Sequence, residues 1–285
     1  MEFLQLKYFC DAAVTENFSQ TAKKFFVPTS NISQSIKRLE RELGCELFEH
    51  KTNKVTLNSE GKRFYAEASR ALMMLENEKM RLADKQNELT GDIRLICLNN
   101  RRTVGNAIEK FMRINPNVNF IIRHNFDAES DFDVTVSDFC PYEYGEKILL
   151  VDEDICIAMN KSHPLVAKTD LSVGDLRHER FITMTGGSSL WKITVNACHD
   201  AGFVPNIAIQ TDVPFYVQKY VEMGLGIAFV PFHAWRGQFS DDIALKRIGN
   251  LRRKTYAFLP REKYIKRSVE AFLQMLLSES NESLK

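Results

Sequence analysis

No stretch of the chain approaches the roughly 20 consecutive apolar residues that a membrane helix needs. The amino terminus, with Glu2, Gln5 and Lys7 set among its apolar residues, has no uninterrupted apolar segment of the kind a signal peptide carries. A cytoplasmic protein is therefore expected. Paired cysteines are missing too. Cys10, Cys45, Cys97, Cys140, Cys156 and Cys198 stand far apart, with no C-x-x-C and no histidine at zinc-ligand spacing. That leaves free, mostly buried thiols, and neither a metal nor any other cofactor is expected. Charge of one sign is lacking as well: 38 Lys and Arg face 37 Asp and Glu, a net charge of +1. No whole-molecule field draws such a chain to nucleic acid, so DNA binding would need a local basic patch. Enzyme signatures are absent: there is no G-x-S-x-G, no H-E-x-x-H and no P-loop, and Gly224-Leu225-Gly226 has no third glycine. What remains is an ordinary globular composition, 44% hydrophobic and 26% charged over 285 residues, long enough for two domains with separate cores.

The first 60 residues are the most informative. Leu6, Phe9, Cys10 and Ala13 recur at spacings of three and four between Phe3 and Val14, one face of a helix. Asn17 or Ser19 can cap a second, short helix that holds Ala22 and ends at Val27-Pro28. A third helix is expected from about Thr29 to Leu43, with Ile32, Ile36, Leu39 and Leu43 as its buried stripe and Gly44 as its stop. Its outer face is Thr29, Ser30, Asn31, Ser33, Gln34, Lys37 and Arg38, with no acidic residue before Glu40. Amide and hydroxyl side chains can read base edges while the two cations anchor to phosphate. A solvated polar helix face would look the same taken alone. The segment that follows favours DNA, because Leu47, Val55 and Leu57 frame a tight basic turn through His50, Lys51, Asn53 and Lys54, a β-wing.

These residues resemble the LysR-type transcriptional regulators. The resemblance rests on Phe18-Ser19-Gln20-Thr21-Ala22, Asn31 through Gly44, Leu47-Phe48-Glu49 and Val55-Thr56-Leu57-Asn58-Ser59-Glu60-Gly61. It implies a DNA-reading set of Ser19, Gln20, Thr29, Ser30, Asn31, Ser33, Gln34, Lys37 and Arg38, with His50, Lys51, Asn53 and Lys54 in the wing. Departures fall on reading positions. Pro28-Thr29-Ser30 stands where the family usually has Ser-Gln-Pro, and Gln34 where an arginine is common. General affinity is expected to survive, with an unusual operator.

Asn58 or Ser59 can cap a helix running to about Glu88, along which Phe64, Ala68, Leu72, Leu75 and Leu82 form a narrow heptad-like seam. Packing within its own chain is one use of that seam; the family pattern implies pairing with a second subunit, in a homodimer or homotetramer.

Beyond Gly91 the pattern alternates strand and helix, which predicts a mostly parallel sheet. Strands are expected at 92–98, 118–122, 133–136, 155–159, 181–184, 208–210 and 226–230, with helices at 103–114, 190–199 and 215–222. Phe111 with Asn115-Pro116, His163-Pro164-Leu165, Asp175-Leu176, Ala201 through Pro205 and Gly224 through Pro231 are similar to the family's effector domain. The implied fold is multidomain α+β: a winged helix-turn-helix over 1–58, a linker and dimerisation helix over 59–89, and a two-lobed α/β, periplasmic-binding-protein-like effector domain over 90–285. Lobe I would take 90–160 and 261–285 and lobe II 161–260, with crossings near Lys161 and Pro260 and a last helix at 263–277 returning to lobe I. Ligands of open α/β sheets sit beyond the carboxyl ends of strands. Asn99, Asn100, Arg101, Asn125, Thr185, Gly186 and Ser188 occupy such ends and would bind a small anionic or polar effector, unless they only make turns and caps. Between Asn125 and Asp133 the family usually fits a short helix; this chain has only residues 126–132 there, so a shorter rim to the cleft is expected.

Two other readings compete: a small-molecule-binding enzyme, for which the signatures are missing, and a thiol redox sensor of the same fold. Cys198 matches the resolving cysteine of peroxide-sensing members, but the partner expected nine residues earlier is Ser189.

Overall fold

The computed structural model describes residues 1–51, 54–83, 88–126, 132–140, 143–261 and 263–283, without the side chains of residues 50, 51, 54, 83 and 283. The chain divides into two compact units: Met1–Gln86 with Glu262–Lys266, and Asn87–Arg261 with Arg267–Lys285.

The first unit opens with α1 (Phe3–Thr15), α2 (Phe18–Lys24) and α3 (Thr29–Leu43). Local chemistry sets each boundary. A capping box joins Glu2 and Gln5 ahead of α1, and the Asn17 side chain accepts the Ser19 and Gln20 N–H groups at 3.0 and 3.1 Å to start α2. Gly44, at φ +72°, closes α3 in the left-handed conformation that a side chain would strain. Phe9, Ala22, Ile32, Ile36 and Leu39 are buried together, and the Phe9 ring meets those of Phe48 and Phe64 at 5.8 and 5.2 Å. Each large side chain buried here stabilises by about 1.5–3 kcal/mol. Leu43, expected in the same stripe, is instead exposed, because the Gly44 turn takes the chain away from the core within one residue.

A hairpin of β1 (Phe48–Lys51) and β2 (Lys54–Leu57) follows, in register Phe48 to Leu57 and Glu49 to Thr56. Two carboxylates hold it to the helices: Glu40 accepts the Leu47 and Phe48 N–H groups, and Glu16 accepts that of Leu57. Then α4 (Ser59–Ala83) begins. At Gly61 it crosses so close to the Leu47 carbonyl oxygen that a β-carbon would collide with it. Phe64 and Ala68 pack into this same core, whereas Leu75 and Leu82 are exposed. The expected seam thus splits, its first half used within the chain. Glu88, the expected end of the helix, lies in a bend; residues 84–87 fall outside the described set.

The second unit contains β3 (Gly91–Cys97), α5 (Arg101–Ile114), β4 (Val118–Arg123), β5 (Val134–Ser137) and the long β6 (Tyr144–Asn160). These are followed by β7 (Arg180–Met184), α6 (Ser189–Asp200), β8 (Asn206–Thr211), α7 (Pro214–Glu222) and β9 (Ala228–Pro231). The short α8 (Phe232–Trp235), the long β10 (Ile243–Pro260) and α9 (Arg267–Ser283) complete it. One six-stranded sheet has the order β4-β3-β5-β10-β6-β9, and β7 and β8 form a second. Parallel pairing holds for β3 with β4 and β5 and for β7 with β8, but β6 and β10 run antiparallel to each other and to their neighbours. The mostly parallel sheet expected from the sequence is thus a mixed one. Helix α9 starts at Arg267 rather than Lys263 and packs on α5, where Phe272 meets Phe111 at 5.6 Å.

Ile155–Met159 of β6 and Ile243 of β10 share one hydrophobic core with residues of α6, α7 and β9, and β6 and β10 pair along most of their length. There the register slips between Arg247 and Arg252. Three charge pairs brace the place: Arg252 faces Asp154, Arg253 faces Glu153 and Lys254 faces Asp152. Alternation along a strand sends the middle pair inward and the outer two to solvent. Arg252 binds Asp152 and Asp154 at 2.8 and 2.7 Å on the wet face, while Arg253 and Glu153, 5% and 0% exposed, lie 2.6 Å apart inside.

Candidate nucleic-acid interface and effector cavity

Burial of Ile32, Ile36 and Leu39 fixes which way α3 faces. Thr29, Ser30, Asn31, Gln34, Lys37 and Arg38 are exposed, and Ser33 is half-buried. Ser19 and Gln20 are exposed at the start of α2, their backbone N–H groups held by Asn17. Acidic groups that could spoil the surface are occupied elsewhere: Glu40 on the hairpin, and Glu42 on the terminal amine at 2.6 Å. Among the described residues Lys37 and Arg38 have no carboxylate partner, so both charges stay available to phosphate. In the wing the backbone of His50, Lys51 and Lys54 pairs in the hairpin, while their side chains, and Asn53 altogether, lie outside the described residues.

The second unit encloses a cavity of about 430 Å³, within the size range of small-molecule sites. It opens where strands end. Asn99, Asn100 and Arg101 follow β3, Asp138 and Phe139 follow β5, Thr185 and Ser188 follow β7, and Asp212 follows β8. Of the residues expected there, Asn99, Asn100, Arg101, Thr185 and Ser188 line it; Asn125 and Gly186 do not. His124 occupies the position expected of Asn125, its Nδ1 donating to the Cys97 carbonyl at 2.8 Å, and Gly186 brings no side chain to the site. Several lining residues also perform the local tasks that turns and caps require. Ser188 accepts the Trp191 N–H at the start of α6, and Asn99 donates to Asp138 at 2.9 Å. Asn100 sits at φ +52° ahead of α5, and its side-chain oxygen accepts from Arg253 at 3.3 Å and Thr255 at 3.0 Å instead of capping the helix.

Sequence reasoning missed Arg102, Asp138, Phe139, Asp212, Trp235, Gln238 and Arg253. Arg102 donates to the Arg236 carbonyl at 2.6 Å, which ties α5 to the segment after α8. Glu153 completes the buried ion pair by accepting the Ala234 N–H at 2.8 Å, so one network joins the start of α5, the β6–β10 pair and α8 at the wall of the cavity. The rule of strand carboxyl ends, applied to β5 and β8 as it was to β3 and β7, would have found Asp138 and Asp212. Burial pushes Cys97 up to about 12 and Cys198 to about 11, leaving almost no thiolate at neutral pH. Ser189 opens α6 where a redox partner would be needed.

A winged helical unit with an open polar reading face, joined in one chain to a cavity-bearing α/β unit, matches two family descriptions. Residues 3–62 match "Bacterial regulatory helix-turn-helix protein, lysR family", and residues 86–281 match "LysR substrate binding domain". The chain belongs to the LysR family of transcriptional regulators. Relatives of this LysR regulator include the transcriptional dual regulator GltC of Bacillus subtilis (strain 168), 25% identical with 81% of each chain covered. ShiR of Corynebacterium glutamicum (strain R) is 28% identical, covering 80% of this chain and 82% of its own. A full-length OxyR variant from Pseudomonas aeruginosa shares the fold at a TM-score of 0.67 and 19% identity, covering 99% of this chain and 95% of that one. CbnR in complex with its target DNA does so at 0.57 and 21%, covering 99% and 100%. As a LysR regulator the chain is a transcription factor and not an enzyme; it binds double-stranded DNA and a small-molecule effector and acts as an oligomer. Among the described residues no helix is long and apolar enough to cross a membrane.

Proposed function

We propose that this LysR regulator works in the cytoplasm as a homodimer or homotetramer. Its DNA-binding domain would be residues 1–58, its linker helix 59–89 and its effector domain 90–285. The recognition helix α3 lies in the major groove with Thr29, Ser30, Asn31, Ser33 and Gln34 at base edges. Lys37 and Arg38 contact phosphate, Ser19 and Gln20 the flank, and His50, Lys51, Asn53 and Lys54 the neighbouring backbone. The observation that carries this reading is the open outer face of α3, with no acidic residue before Glu40 and with neither Lys37 nor Arg38 held by a carboxylate among the described residues. Duplexes selected from a randomised library by the full-length protein test it. Gln34→Ala should weaken binding by about 1–3 kcal/mol if Gln34 makes a bidentate base contact, and Lys37→Ala should reduce the salt dependence of affinity by about one counterion. Wild-type footprints and affinities in both variants would refute the assignment.

The effector is a small anionic or polar molecule held by Asn99, Asn100, Arg101, Thr185 and Ser188 between the lobes. It acts by population shift, favouring one arrangement of the lobes and with it one spacing of recognition helices in the oligomer. Calorimetric titration of an inducer identified by a reporter screen should show weaker binding to Asn99→Ala and Ser188→Ala proteins; unchanged affinity in both removes these residues from the site.

A further inference from the structure

The turn between α2 and α3 contains Phe25, Phe26, Val27 and Pro28. Phe25 turns inward and meets Tyr8 edge to face at 4.9 Å, and Val27 packs on the core. Phe26 does neither. Its backbone is left-handed, at φ +55°, and its ring is 95% exposed. That conformation is costly for a bulky side chain and easy for Asn or Gly, while the exposed ring gives up all burial. Neither feature helps the chain fold. Phe26 stands three residues before Thr29, so its Cα lies at most roughly 11 Å from the first residue of the recognition helix. The first residues of such a helix are those that meet base edges. Thr29, Ser30 and Asn31 supply polar groups to that region; Phe26 supplies an apolar one, and the apolar feature of the major groove is the thymine 5-methyl group.

We propose that the Phe26 ring packs on a thymine methyl group at the edge of the major groove and so reads thymine beside the bases contacted by α3. This rests on α3 being the helix that enters the groove. The test takes a duplex selected by the full-length wild-type protein from a randomised library and replaces its thymines one at a time with uracil, which removes only the methyl. For wild type, one position should lose about fourfold in affinity, the worth of one buried methyl. Phe26→Asn, at least as stable as wild type because Asn tolerates the left-handed backbone, should bind the thymine duplex roughly tenfold more weakly and be indifferent to uracil at that position. Phe26→Gly, equally at ease in that conformation, should behave the same way. Wild-type affinity in both variants overturns the contact, as does a uracil penalty that persists in them. Failure of the wild-type protein to select any sequence would instead overturn the reading of α3.

Discussion

Replacing Arg253 by methionine is the most direct probe of the effector domain. The side chains of Arg253 and Glu153 are 5% and 0% exposed and 2.6 Å apart, so Arg253→Met leaves a carboxylate in a place water does not reach. Breaking a buried pair from one side costs about 3–5 kcal/mol, mostly the penalty of the abandoned charge. For a unit of this size each kcal/mol moves the melting temperature by about 2–4 °C, so a fall of roughly 6–20 °C is expected. The chain has 2 tryptophans, Trp191 and Trp235, and both lie in the effector unit. Tryptophan fluorescence during urea unfolding of the full-length protein therefore reports on this unit alone. The double variant Glu153→Gln with Arg253→Met should recover most of the loss, since the glutamine oxygen can still accept the Ala234 N–H and no charge is stranded. A single variant within about 1 kcal/mol of wild type, at an unchanged m-value, would refute the claim that this pair is buried and coupled.

Other consequences follow from local geometry. Gly61→Ala should cost about 1–3 kcal/mol by pushing α4 off the Leu47 carbonyl; equal protease resistance of the first unit in mutant and wild type would contradict this close approach. Lys110 and Asn106 bind Glu279 across the α5–α9 contact and hold its carboxyl below the ordinary value of 4.5. A depressed folded pKa means that this stabilisation is complete above the ordinary value and is lost as pH falls through the lower folded one. Acid unfolding should therefore be shallower in Glu279→Gln, and an identical acid limb would argue against the clasp. Cys97, Cys156 and Cys198, all raised to about 11 or 12 by burial, should resist iodoacetamide at pH 8 until urea unfolds the chain. Intact-mass spectra after peroxide should show no two-proton loss, and a loss that tracked DNA binding would restore the redox reading.

The first 60 residues were legible because each signal there is local. Asn17, Pro28 and Gly44 mark helix limits by their own backbone chemistry, and the i, i+4, i+7 stripe of Ile32, Ile36 and Leu39 is unambiguous. Leu43 escaped because burial at a helix end depends on where the next residue turns. The effector unit was legible where a strand is buried on both faces, as Ile93–Cys97 is. It was opaque in β10, where Lys246, Arg247, Arg252, Arg253 and Lys254 read as a polar connection and Gly249 breaks any alternation. The carboxylates of the partner strand give Arg247, Arg252, Arg253 and Lys254 their reason, and Lys246 donates to the Val166 carbonyl.

That partner strand also explains why Arg253 belongs to the cavity. Asp152-Glu153-Asp154 opposite Arg252-Arg253-Lys254 is a cross-strand ladder of opposite charges, the pairing that stabilises antiparallel neighbours. Strand alternation obliges one rung of such a ladder to face inward, and the inward rung is Arg253 with Glu153, of which Arg253 lines the cavity. A ligand can shift an equilibrium between lobe arrangements only through groups whose contacts differ between them. Arg253 lines the cavity, reaches Asn100 at the start of α5, and is paired through Glu153 to the N–H of Ala234 in α8. An anion drawn to Arg253 would compete with Glu153 for its guanidinium.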